Sequence, residues 1–283
     1  MRPILTRPLN LSWLALLLMA LCLTPPQVSA QRNARDMVPD GMEMPQWTVD
    51  PEFLYDAFAF VRVRYEVDGF FGRGTGGRYE RWLTDAPDSE INFGWRLQQM
   101  TSMLVHPDGV FLDLLDPRIY NYPFLYIVEP GRLHLSDEEA TALKAYLNNG
   151  GFLMFDDFWG SRDRRNVEGE LKRLFPEKQV QELSLDHPIF HSVFPLKELP
   201  QVPNVETGTL SQYTGITTER GAGPPFYGAL YDDKGRMMVI LCHNTDNGDG
   251  WEREGENEYY FREFSEKKAY PMGINILFYV MTH

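Results

Sequence analysis

Several side chains able to do chemistry stand directly after apolar runs in this sequence. Asp156 and Asp157 follow Phe152-Leu153-Met154-Phe155; His243, Asn244 and Asp246 follow the run 239–242; Glu129 follows 124–128; Arg64 and Tyr65 end a run that begins at Phe58. The segment Asp186-His187-Pro188-Ile189-Phe190 adds an imidazole beside a carboxylate, expected on a loop near the same edge. Carboxylates and imidazoles that converge in one crevice can hold a divalent metal or run general acid–base chemistry. Adjacent acids at a strand end also have a purely structural use: they cap the next segment and pair with arginines, here Arg64, Arg162 or Arg164.

Other patterns are weaker. The glycines and arginines of 69–78 imitate a phosphate cradle, but the GK[ST] ending is missing and about ten residues separate the loop from the next helix, so it reads as a mobile surface loop. In 245–256, Asn247, Asp249, Gly250 and Glu256 fall at calcium-loop positions. Thr245 replaces the required first Asp and Glu252 stands where an apolar residue belongs, so the segment reads as an acidic, turn-rich loop. There is no G-x-S-x-G, no H-E-x-x-H and no paired Cys or His metal spacing. Cys242, flanked by Val239-Ile240-Leu241, reads as a small core residue rather than a nucleophile.

The elements that must position these groups follow from periodicity. Continuous apolar runs at 124–128 and 152–155 predict strands buried on both faces. Between them, Ser136 and Glu139 form a capping box, Ala140, Leu143 and Leu147 an apolar stripe, and Gly150 a left-handed stop. Strand, helix and strand with tight connections predict a parallel βαβ unit. Further strands are expected at 58–65, 110–114 and 179–183, and a hairpin pairs 226–231 with 236–242 across 232–235. Helices are expected from Asp88, which can cap its own helix, near 167–175, and from Pro271 to the C-terminus. The stretch 195–225 shows no assignable pattern. The predicted architecture is α/β, a three-layer flavodoxin-like sandwich with a mostly parallel sheet, in which function sits at the carboxyl ends of the strands. That rule makes Asp156, Asp157, His187 and Asn244 the candidate ligand-binding residues, with Glu129 and Arg64 at the edge.

The bulk composition narrows the setting. Arg2 and Arg7, the apolar run 11–23 and Val28-Ser29-Ala30 have the order of a cleavable secretory signal over residues 1–30, and the run is too short to span a bilayer. The expected product is exported, periplasmic or extracellular, with no stable membrane span after cleavage. Residues 31–52 read as a linker or N-terminal arm and 53–283 as a single α/β domain. The leader holds two of the 27 basic residues and none of the 40 acidic ones, so the remainder carries a net charge of about −15, which disfavours nucleic acid and anionic lipid as partners. With Cys242 alone after the leader, the fold rests on its apolar core.

The strings YPFLYIVEPG and LSDEEATALKAYLNNGGFLMFDDFWG, then DHPIF, then N-x-D-x-G-D-G-W and an apolar C-terminal helix resemble the bacterial domain-of-unknown-function family 4159, over about residues 56–282. That family is similar in turn to class I glutamine amidotransferases and to trehalose-utilisation-type proteins. The resemblance implies an amidotransferase-like frame in which Asp157 stands at the position of the nucleophilic cysteine, Phe155 at the first glycine of its turn, and Trp159-Gly160 beyond. An aspartate cannot form the thioester of glutamine hydrolysis, so glutaminase activity is not expected. The DHPI segment, by the same resemblance, puts His187 close to Asp157. The expected function is a non-catalytic binding or assembly module of the cell envelope, with an envelope protein or small molecule as partner and no cofactor. The alternative is a metal-assisted hydrolase acting on an envelope carbohydrate or related substrate, with Asp156, Asp157 and His187 on a divalent ion. A third reading is a scaffold with a vestigial crevice.

Overall fold

Seven strands form one sheet in the order β2-β1-β3-β4-β7-β6-β5. They are β1 (Val61–Arg64), β2 (Val110–Asp113), β3 (Phe124–Val128), β4 (Phe152–Phe158), β5 (Gln181–Glu182), β6 (Phe226–Tyr231) and β7 (Met237–His243). The computed structural model describes residues 33–40, 42–54, 56–65 and 80–283. The leader 1–30 and the glycine-rich stretch 69–78 lie outside the described residues.

β2, β1, β3, β4 and β7 run parallel, and β6 pairs antiparallel with β7 and with β5. The sheet is therefore mostly parallel, as in flavodoxin-like α/β folds. The chain leaves β1 toward β2 on one side and returns to β3 on the other, so the order reverses between β1 and β3. In open α/β sheets ligands bind in the crevice at such a reversal, outside the carboxyl ends.

Alternation along the strands separates two apolar clusters. Phe124, Tyr126, Met154, Ile240 and Cys242 join one with Phe93, Trp251 and Ile274. Leu125, Ile127, Leu153, Phe155 and Leu241 join the other with Leu143, Leu147, Val167 and Leu171. Because strand side chains alternate with a period of two, a run that is apolar at every position has to bury both faces, which is how β3 and β4 behave.

The helices are α1 (Asp88–Met100), α2 (Asp137–Asn148), α3 (Gly160–Leu174), α4 (Val205–Thr214), α5 (Asn247–Glu252), α6 (Glu258–Tyr260) and α7 (Tyr270–Thr282). α2 has the predicted box, in which Ser136 Oγ accepts from Glu139 N at 3.1 Å and Glu139 Oε2 from Ser136 N at 2.9 Å; Gly150 beyond it has φ +104°. Four expectations are corrected. Asp88 does not cap α1: the N-cap is Pro87, and Asp88 already lies inside the helix. α3 begins at Gly160, seven residues before the predicted 167, because polar residues fill its first two turns and hide the period. The stretch 195–225 contains α4, capped by Asn204 Oδ1 accepting from Thr207 N at 2.8 Å. Pro271 does not start the last helix. A π-helical stretch, Phe261–Ala269, joins α6 to α7, so Pro271 sits within a continuous helical path. A proline ring clashes with the carbonyl four residues earlier in a regular α-helix, and a wide π turn ahead of it relaxes that clash.

Within the N-terminal arm, Arg35 Nε donates to Pro107 O at 2.8 Å and Trp47 Nε1 to Val105 O at 2.8 Å, fastening described parts of 33–54 to the domain. No helix among the described residues is long and apolar enough to cross a membrane.

Candidate functional site

Three neighbouring strands end in residues that are not glycine but have left-handed backbone: Glu129 after β3 (φ +47°), Asp157 near the end of β4 (φ +53°) and Asn244 after β7 (φ +57°). Side chains other than Gly, Asn and Asp resist this conformation, and such residues persist only where the surroundings impose them. At Asp157 the cause is a break in the ladder: the β4–β7 register shifts between Phe155 and Phe158. A bulge of this kind turns the strand and re-aims its side chains. Phe155, just before the turn, packs in the apolar cluster with Leu153 and Leu241.

Asp156 and Asp157 therefore have different surroundings. Asp156 is fully buried and accepts three hydrogen bonds, from Asn247 Nδ2 (2.8 Å), Tyr126 Oη (3.1 Å) and Gly248 N (3.1 Å). Burial outweighs those donors and pushes its pKa up to about 6. Asp157 accepts from Trp159 Nε1 at 2.8 Å, and burial, then Glu129 and Glu219, push its pKa well above the carboxylate range. Among the described residues neither acid pairs with an arginine. Arg64 pairs with Asp113 at 2.6 Å, and Arg164 with Glu168 at 2.7 Å while its guanidinium lies over Phe226. Neither acid caps the helix that follows β4, whose N-cap is Trp159, and Asp156 instead takes a backbone N–H from the first turn of α5.

The site continues beyond the strand ends. Asp246 caps α5 by accepting from Asp249 N at 2.8 Å. α5 replaces the acidic loop read from the sequence, and no calcium loop forms at 245–256, because the cap closes a helical turn over those residues. Asp249 Oδ2 accepts from Val205 N at 2.6 Å at the start of α4. Ligand atoms of Asp85, Asp249 and Glu252 lie within 4.8 Å of one another. Asp85 and Asp246 have pKa values pushed well up, first by burial and then by surrounding carboxylates, and Glu252 is raised to about 8 by burial. The arginines described nearby are already engaged: Arg81 on Glu129 at 2.7 Å, Arg253 on Glu252 at 2.8 Å and on Asp249 at 3.4 Å, and Arg62, fully buried, on Glu90 and Ser89.

The predicted residues divide accordingly. Asp156, Asp157, Asn244 and Glu129 gather at the carboxyl ends, where Asn244 Oδ1 accepts from Gly160 N at 2.8 Å and its Nδ2 donates to Pro224 O at 2.9 Å. Arg64 turns to the β2 edge, and the buried arginine of β1 is Arg62. His187 is a correction. Its Nε2 meets Tyr231 Oη at 3.2 Å and its ring lies by Tyr279, while Tyr231 pairs with Met237 at the amino end of β7. Because β6 is antiparallel, Tyr231 stands at the far end of the sheet from Asp157. The ligand set Asp156, Asp157 and His187 is therefore not assembled. His243 is nearer, with Nε2 on Gly160 O at 3.0 Å and Phe158 and Phe226 flanking its ring. Asp85 was not singled out by the sequence, since within Thr84-Asp85-Ala86-Pro87 it resembles an ordinary helix lead-in.

An open, mostly parallel sheet with buried polar groups at its carboxyl ends defines an α/β protein of the kind that carries ligands at that edge. This chain belongs to the family described as Domain of unknown function (DUF4159), whose model matches residues 59–281. No curated protein matches the chain.

Proposed function

We propose that this chain is an exported, non-catalytic recognition module of the cell envelope, built as a three-layer amidotransferase-like frame, whose carboxyl-end crevice binds a positively charged ligand or the cationic group of a partner. The observation that carries the reading is the charge balance of the crevice. Asp85, Asp156, Asp157 and Asp246 are buried with no ion pair among the described residues, while buried Asp249 shares Arg253 with Glu252. Buried carboxylates without counter-charges are costly, and a cationic ligand removes that cost. The left-handed turn at Asp157 supports kinship with the amidotransferase elbow, whereas an aspartate there supports loss of its chemistry. Cys242, the only cysteine after the leader, is buried within β7 with a pKa raised by burial, which is no environment for a thiolate nucleophile.

The test uses residues 31–283 as secreted product. Calorimetric titration with spermidine and with arginine amide is expected to give saturable binding that Asp157→Asn weakens at least ten-fold. Absence of saturation by either probe and by divalent ions would remove the reading, and turnover of nitrophenyl glycosides or esters lost in Asp157→Asn would replace it with the hydrolase.

A further inference from the structure

Asp85, Asp249 and Glu252 differ from the other acids of the crevice in converging on one point. Asp249 and Glu252 are three residues apart on α5, so their side chains share one helix face. Asp85 approaches from the segment before α1 with a left-handed backbone (φ +65°). Two oxygens on opposite sides of a calcium ion, at about 2.4 Å each, are about 4.8 Å apart. The three ligand atoms here lie within that separation of one another.

A second feature points independently to a ligand. Asp85 is 8% exposed, and its Oδ2 is buried without a hydrogen-bond partner. A buried carboxylate oxygen left unbonded costs the full desolvation of that group, and native structures rarely tolerate it without an ion or water. Arg253 does not supply the missing partner, since its guanidinium meets Glu252 at 2.8 Å, Asp249 at 3.4 Å and Glu256 at 2.9 Å and has no ion pair with Asp85.

We infer that Asp85, Asp249 and Glu252 form a site for a hard divalent cation, calcium or magnesium, at the mouth of the crevice. The donor set is entirely oxygen, which suits these ions and disfavours softer metals that seek nitrogen or sulfur. Gly248 belongs to the same construction: a Cβ there would stand 2.2 Å from Asp85 Oδ2, so only glycine lets α5 approach the carboxylate. The inference rests on the recognition reading above and names one ligand class for it.

The experiment is calorimetric titration of the mature chain with calcium, magnesium and manganese after chelator treatment, with melting curves in parallel. One ion per chain and a melting temperature raised by several degrees are expected. Asp85→Asn and Glu252→Gln should each weaken binding at least ten-fold, whereas Asp113→Asn, at the β2 edge, should leave it unchanged. Circular dichroism reports whether each variant is folded, and the Gln variant carries the test if the Asn variant is not. Failure of all three ions to bind, or unchanged affinity in both variants, overturns the inference. If the ions fail but spermidine or arginine amide binds in an Asp157-dependent way, the metal site falls and the recognition reading stands.

Discussion

The β-carbon that Gly248 lacks would sit 2.2 Å from Oδ2 of Asp85 and 2.9 Å from the hydroxyl of Tyr126. Residues 163 positions apart are thus in contact through the absence of a side chain. The same Gly248 gives its backbone N–H to Asp156 at 3.1 Å, so one residue of α5 touches both acids.

Gly248→Ala should therefore destabilise the domain by about 1–3 kcal/mol, the usual range for overpacking a tight interior. Urea denaturation measures it. The substitution should also displace Asp85, so that divalent-ion affinity falls more than ten-fold while the folded circular-dichroism spectrum is retained.

Asp157 gives a test of backbone strain. Left-handed geometry costs an ordinary L-residue about 1–2 kcal/mol relative to glycine. Asp157→Ala and Asp157→Gly both lose the 2.8 Å bond from Trp159, so their difference isolates the backbone. The Gly variant is expected to be about 1 kcal/mol more stable than the Ala variant in chemical denaturation. Equal stabilities would mean that the turn is not strained.

Arg62 and Glu90 form a buried ion pair, each almost wholly inaccessible, with Arg62 also donating to Trp82 O at 2.9 Å and Thr84 O at 2.6 Å. This fastens β1 to α1 and to the segment that presents Asp85. Arg62→Met leaves buried Glu90 without its counter-charge, holding only the Ser89 hydroxyl, and should cost about 3–5 kcal/mol. Adding Glu90→Gln should return part of that loss, a coupling that a double-mutant cycle in urea would measure.

His243 sets a pH dependence. Burial, the largest influence, lowers its pKa below the ordinary value of 6.5. The unfolded chain then takes up a proton that the folded chain refuses, so stability is fully present above pH 6.5 and declines as pH falls from there toward the folded pKa. His243→Gln should flatten that part of the profile, as followed by melting temperature between pH 7 and pH 5.

Much of the frame was legible because its signals are local. Capping by Ser136 and Glu139 and the apolar runs of β3 and β4 act over a few residues, so α2 and its flanking strands fall where periodicity places them. α3 was begun too late because its first two turns are polar and only Val167, Leu171 and Leu174 make a stripe, and α4 was missed because it buries only Gly208 and Ser211 and leaves no stripe to count. At the site, Asp156, Asp157, Glu129 and Asn244 were legible as residues directly after or at the end of a buried run. His187 was not, since its motif says nothing about which end of the antiparallel β6 it meets.

By itself the sequence determined the α/β class, the carboxyl-end edge and the excess of acid, because these depend on residue type, period and charge. Only the tertiary structure decided which acids meet. Asp85, Asp249 and Glu252 converge because β1 and β7 run the same way in one sheet and bring their following segments to one edge, and because Gly248 admits α5 to Asp85. Contacts across more than 160 residues depend on sheet order and close packing, which no local pattern encodes.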